Sequence, residues 1–111
     1  MAVLTVVETP VFIRRAERLL SREEHADLVL FLASHPEAGD LIPGTGGVRK
    51  VRYAGRGKGK RGGYRVVYYF LDEATPLYAL LIYGKDEQDD LTSEQRKVVR
   101  TFAEAIKNAG K

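Results

Sequence analysis

Apolar residues in this chain switch between two spacings, alternate positions and every third or fourth position, and the switches mark its elements. Val3 to Val7 is a short run rich in β-branched residues, interrupted by polar Thr5, which predicts a first strand ending at Glu8-Thr9-Pro10. Thr9 as a cap and proline in the first turn then predict a short helix over Val11 to Leu20 with an arginine-rich polar face. Ser21 and Glu24 have capping-box spacing, so a second helix runs from Arg22 to Ser34 and stops at His35-Pro36. Its apolar run Leu28 to Leu32 is unbroken, which predicts a helix covered on both sides.

Glu37 to Gly47 is rich in proline and glycine and reads as loop, with a brief extended piece at Asp40 to Ile42. From Val48 the period becomes two: Val48, Lys50 and Arg52 face one way, Arg49, Val51 and Tyr53 the other. Gly55 to Gly63 turns the chain into Tyr64 to Leu71, whose β-branched and aromatic composition is that of a central strand buried on both faces except at Arg65. Leu77 to Tyr83 is the next strand. Thr92 with Gln95 forms a second capping box, and Val98, Val99, Phe102, Ala105, Ile106 and Ala109 place an apolar stripe on a terminal helix closed by Gly110. The order strand-helix-helix-strand-strand-strand-helix implies one α+β domain over residues 1–111, a small mainly antiparallel sheet with helices packed on one face and the other face open.

Charge sharpens this picture. Val48 to Phe70 carries eight cations and no acid, leaving ten Lys and Arg against all fifteen Asp and Glu elsewhere, a balance of −5 that the overall +3 conceals. The eight are Arg49, Lys50, Arg52, Arg56, Lys58, Lys60, Arg61 and Arg65. Edge strands do use charge to stay soluble, but they normally mix signs. Cations crowded on one hairpin need an external polyanion, and a basic patch on an otherwise acidic domain is the footprint of a nucleic-acid binder.

Other chemistry is thin. The absence of cysteine removes disulfides, thiolate nucleophiles and zinc-thiolate sites, and suits a reducing cytosol. No apolar run approaches the roughly 20 residues of a membrane helix, and the N-terminus lacks the features of an export signal. His25 and His35 have no third ligand at metal spacing, so they read as structural and neither metal nor cofactor is expected. Gly57 to Gly62 fits GxGxxG, yet a strand rather than a helix follows, so the glycines read as a turn whose amides and lysines drape over phosphates. Asp86, Glu87, Asp89 and Asp90 read as a solvated loop before the last helix. The six tyrosines read as strand packing, with one or two beside Arg65 available to stack on bases.

The segments VRKVRYAGRGKGKRGGYRVVYYFLDE and LLIYGKDEQDDLTSEQRK together resemble the RelE/HigB toxins of bacterial type II toxin-antitoxin modules, and the HigB branch most of all. The likeness spans about Val48 to Lys97, with the N-terminal half matching in element order. It implies a RelE-like fold and a cytoplasmic, ribosome-dependent mRNA endonuclease that inhibits translation and is held by a cognate antitoxin of HigA or RelB type. By position it makes Arg65 the arginine at the scissile phosphate, Lys50 and Arg52 the alternating basic pair, and Lys85 the basic residue after the last strand. Where the family carries a further arginine and a late tyrosine, this chain has Asp86 and Thr92, and Lys58, Lys60 or Arg61 would compensate.

Cutting RNA without metal requires a base for the ribose 2′-OH, stabilisation of the phosphorane-like charge and an acid for the departing oxygen. A lysine crowded by cations loses its proton more readily, which makes Lys50 or Lys60 the expected base, while Arg52 and Arg65 suit the phosphate. Arg49, Arg56, Lys58, Lys60, Arg61 and Tyr53 are the expected substrate-binding set, with the ribosome and mRNA as partners. Two other readings share the fold: a ParE-like inhibitor of DNA gyrase, and a non-catalytic RNA-binding regulator.

Overall fold

Strand β4 (Tyr64–Tyr69) is the middle of the sheet because both of its faces are apolar or aromatic except at Arg65. In the computed structural model, which describes residues 3–55 and 63–109, it lies between β3 (Val48–Tyr53) and β5 (Leu77–Gly84). The other elements are β1 (Val6–Glu8), α1 (Pro10–Leu19), α2 (Arg22–Ser34), β2 (Asp40–Leu41) and α3 (Ser93–Ala109). The sheet order is β1-β5-β4-β3-β2, with β1 parallel to β5 and the other neighbours antiparallel. The class and element order are those expected, with the short extended piece at Asp40–Leu41 completing the sheet as an edge strand.

The helix starts follow their caps. Thr9 accepts from the Phe12 amide at 3.3 Å, and its hydroxyl donates to the Leu80 carbonyl at 3.3 Å, which ties the start of α1 to β5. Ser21 and Glu24 close a reciprocal box, as do Thr92 and Gln95 before α3. Each such cap is worth about 1 kcal/mol.

The helices do not share one face, contrary to the expectation. Phe12, Ala16, Leu20, Leu28 and Leu32 of the α1–α2 hairpin bury against Val66, Tyr68, Leu77, Ala79 and Ile82. On the opposite face α3 packs Val99 and Ala103, with Phe102 and Ile106, against Val48, Val67, Tyr69, Leu80, Leu81 and Tyr83. The α3 stripe therefore runs through Val99, Phe102, Ala103 and Ile106, while Val98 is 66% exposed and Ala105 and Ala109 face outward. A neighbouring valine pair cannot put both members on one face of a helix turning 100° per residue. Nor is α2 covered on both sides: Leu28 and Leu32 are fully buried, but Leu30 is 59% exposed.

A register shift in β5 decides the geometry of the second face. Val67 pairs with Leu81 and Tyr68 with Ala79, so Leu80 is an extra residue opposite the Val67/Tyr68 step. Consecutive Leu80 and Leu81 accordingly both enter the α3-side core, and the alternation beyond them is inverted. Ile82 turns to the α1–α2 side and Tyr83 to the α3 side.

Candidate nucleic-acid interface

The hairpin β3–β4 sets the site. Its six residue pairs run from Val48↔Tyr69 to Tyr53↔Tyr64, and the pleat sends Val48, Lys50 and Arg52 to the face shared by Arg65, Val67 and Tyr69. Arg52 is paired directly with Arg65, and Lys50 sits across from Val67, two residues along the same face. On its other side Arg65 is opposite Tyr83. The helix α3 covers the Val48–Tyr69 end of this face, and Arg52, exposed, and Arg65, half-buried, lie beyond it.

Acid from the chain itself enters this group. Asp90, just before α3, receives Lys50 Nζ at 3.3 Å on Oδ1 and has Arg96 Nη2 3.6 Å from Oδ2. Its Oδ1 also accepts the Leu91 amide at 2.8 Å. That amide hydrogen bond, together with Lys50 and Arg96, holds the Asp90 carboxyl below the usual carboxylate range against a smaller opposing effect of burial. Arg96 is itself braced by the Pro43 carbonyl at 3.1 Å. The acidic loop is thus not merely solvated: Glu87 pairs with Arg15 of α1 at 3.0 Å, and Asp90 with the basic strand. The all-cation neighbourhood expected around Lys50 is corrected accordingly, because the fold returns a carboxylate that is 40 residues away in sequence.

Tyr83 is fully buried beside these groups, and its hydroxyl has no hydrogen-bond partner among the described residues. Burial pushes its phenol up from the ordinary value, and Asp90 adds to this while Arg65 and Arg96 oppose it. In the sequence Asp90 reads as part of a solvated loop, Tyr83 is one of six tyrosines and Arg96 is not singled out. Tyr83 arrives through the β5 bulge, and the other two through the docking of α3.

The remaining predicted residues separate from this group. Arg49 lies on the opposite face, where it donates to the Gly39 carbonyl at 2.8 Å and braces the loop before β2. Tyr53 is on that face too, its hydroxyl donating to the Glu24 carbonyl at 3.2 Å. Both lie on the face that alternation along β3 assigned to them, away from Lys50 and Arg52, so these two expected substrate-binding residues do not join the group around Arg65. Lys85 is exposed at the turn after β5, its amide reaching the Gly63 carbonyl at 3.4 Å, and its ammonium forms no ion pair among the described residues. Arg56, Lys58, Lys60 and Arg61, like the glycine pattern of Gly57 to Gly62 and the terminal Gly110, lie outside the described residues. His25 contacts Glu8 across α2 and β1, and His35 stacks on Phe31 with ring centroids 5.1 Å apart, so both histidines serve the scaffold. Among the described residues no three His, Cys, Asp or Glu side chains are grouped to hold a metal ion.

Comparison with known proteins places the chain. The profile described as the RelE toxin of the RelE / RelB toxin-antitoxin system matches residues 11–111. The chain belongs to the RelE toxin family. Its fold is similar to that of the E. coli toxin RelE, solved as a double arginine-to-alanine mutant in the free state, with a TM-score of 0.56 and 20% identity over 80% of this chain and 90% of that one. As a RelE-family toxin it belongs to a toxin-antitoxin module and has a cognate antitoxin as its partner. No described helix is long and apolar enough to cross a membrane.

Proposed function

We propose that this RelE-family toxin is an mRNA endonuclease that works on the ribosome, without metal, in the cytoplasm, and arrests translation until an antitoxin of HigA or RelB type binds it. The observation that carries the reading is the direct cross-strand pairing of Arg52 with Arg65, with Lys50 two residues along the same face. Like charges placed directly opposite destabilise a sheet. Arginines paired across two strands can share a bridging anion, and a phosphodiester fits, because each guanidinium fork offers paired donors to its oxygens.

In this reading Arg65 and Arg52 hold the scissile phosphate and meet the charge that develops as the 2′-oxygen attacks. Lys50, or Lys60 of the hairpin connection, takes the 2′-OH proton as the 2′-oxygen bonds to phosphorus, the P–O5′ bond breaks to leave a 2′,3′-cyclic phosphate, and the departing 5′ oxygen takes a proton from water, with Lys85 at the rim. For Lys50 to act as base its ammonium must first leave Asp90 and give up its proton. The ribosome supplies the orientation that so open a surface lacks.

The test is 5′-end mapping of transcripts after induction, with and without translation. New ends should appear only in translated messages, and Arg65→Ala should reduce their yield by about 10²-fold to 10³-fold, the scale of losing one pre-aligned charge donor. Intact transcripts accompanied by DNA breaks and recovery of gyrase would instead favour a ParE-like inhibitor. Binding of RNA with no cleavage in any ribosome assay would leave a regulator.

A further inference from the structure

Beside Lys50, at the start of α3, lie three groups to which the cleavage chemistry above gives no role: the Asp90 carboxylate, the Arg96 guanidinium and the Tyr83 hydroxyl. Asp90 presents two carboxylate oxygens to Lys50 and Arg96, with the Leu91 amide as a third donor. Beside them the Tyr83 hydroxyl is fully buried and unpaired among the described residues. A buried hydroxyl without a partner costs about 1–3 kcal/mol, so its retention inside a ring of charged groups calls for a ligand.

We propose that Asp90 occupies a second phosphate site, formed by the Lys50 ammonium, the Arg96 guanidinium, the Leu91 amide and the Tyr83 hydroxyl, and that an RNA phosphate next to the scissile one takes its place. The proposal rests on the RNA-cutting reading of the Arg52–Arg65 pair and extends it by one nucleotide step along the strand. A carboxylate and a phosphodiester each offer two charged acceptor oxygens, and the present donors match either. The geometry that favours exchange is the exposure of Asp90, whose side chain is 55% accessible, above a site whose deepest member is fully closed. Displacing the carboxylate gives Tyr83 an oxygen to which its hydroxyl can donate. With the Lys50 ammonium committed to this phosphate, the base role falls to Lys60, the other candidate.

The test is binding of a short 2′-O-methyl RNA, which lacks the 2′-OH needed for cutting, to the full-length chain across a salt series without ribosomes. Asp90→Asn keeps an acceptor for the Leu91 amide but vacates the charged position. It should bind the oligonucleotide about tenfold tighter at low salt, with a log–log salt slope steeper by about 0.7 for one added phosphate contact. Asp89→Asn makes the same charge change at an exposed neighbouring residue and should move affinity far less. Tyr83→Phe in the Asp90→Asn background should give back a severalfold part of the gain. Equal effects of Asp89→Asn and Asp90→Asn, or no loss on adding Tyr83→Phe, overturn the second site. If the parent chain binds and Arg52→Ala with Arg65→Ala abolishes binding, the RNA reading survives that result. Absence of binding by both the parent and Asp90→Asn overturns both readings.

Discussion

Arg52 and Arg65 face one another across the β3–β4 ladder as direct partners, two permanent positive charges on one side of a sheet. A scaffold selected for stability alone would not keep this pair. Replacing Arg52 by Ala should therefore leave stability unchanged or raise it by about 0.2–1 kcal/mol in urea unfolding, through relief of like-charge contact. The same change should depress transcript cleavage. A clear loss of stability would show that the pair serves the fold.

Arg49, the immediate neighbour of Lys50, has the opposite prediction. Its guanidinium bonds to the Gly39 carbonyl and pairs with Glu37 at 3.9 Å, on the face away from Arg65. Arg49→Ala should lower stability by about 1 kcal/mol and leave RNA affinity of the folded protein close to that of the parent. A drop in affinity as large as that from Arg52→Ala would return Arg49 to the binding surface.

Two buried tyrosines should respond differently to the loss of one oxygen. Tyr68 accepts the Gly39 amide at 2.8 Å in a buried setting, so Tyr68→Phe strands that amide and should cost about 1–3 kcal/mol. Tyr83→Phe removes a hydroxyl with no partner among the described residues and should be neutral or stabilising. Thermal unfolding of the two variants, side by side, reads the contrast.

Gly63 closes the hairpin at φ +62°, and a Cβ there would meet the Tyr53 carbonyl oxygen at 2.7 Å. Gly63→Ala should cost about 1–3 kcal/mol through backbone strain. It should also disturb the register that sets Arg52 against Arg65, visible as chemical-shift changes along both strands.

Asp90 gives the pH dependence. Its folded-state carboxyl is held below the usual range, first by the Leu91 amide and then by Lys50 and Arg96, so the ionised form is favoured in the native chain. The resulting stability is present at neutral pH and is lost as pH falls through the ordinary carboxylate range and then through the lowered native value. The stability gap between the parent and Asp90→Asn should accordingly narrow on acidification. A gap that is constant with pH would mean that the charge of Asp90 contributes nothing.

Much of this arrangement was legible in the sequence because it depends on local physics. Capping boxes at Ser21–Glu24 and Thr92–Gln95 fix helix starts within four residues, and strict alternation from Val48 to Tyr53 assigns Lys50 and Arg52 to one face and Arg49 and Tyr53 to the other. The structure keeps that alternation, so Arg49 and Tyr53, although expected among the binding residues, sit on the far side of the sheet from Lys50. The unbroken apolar run Leu28 to Leu32 misled for a related reason: hydrophobicity without a period does not say which side is covered, and Leu30 remains on the surface.

By itself the sequence determined the order of elements, the basic hairpin and the membership of Lys50, Arg52 and Arg65 in one face, since each follows from neighbours a few residues apart. The tertiary structure alone decided that α3 crosses to the second face, that the extra residue at Leu80 turns Tyr83 toward Arg65, and that Asp90 meets Lys50 across 40 positions of chain. A one-residue bulge inverts every side chain beyond it, and the energy that places it comes from packing two cores at once. No local pattern carries that information, because both cores exist only when the chain has closed on itself.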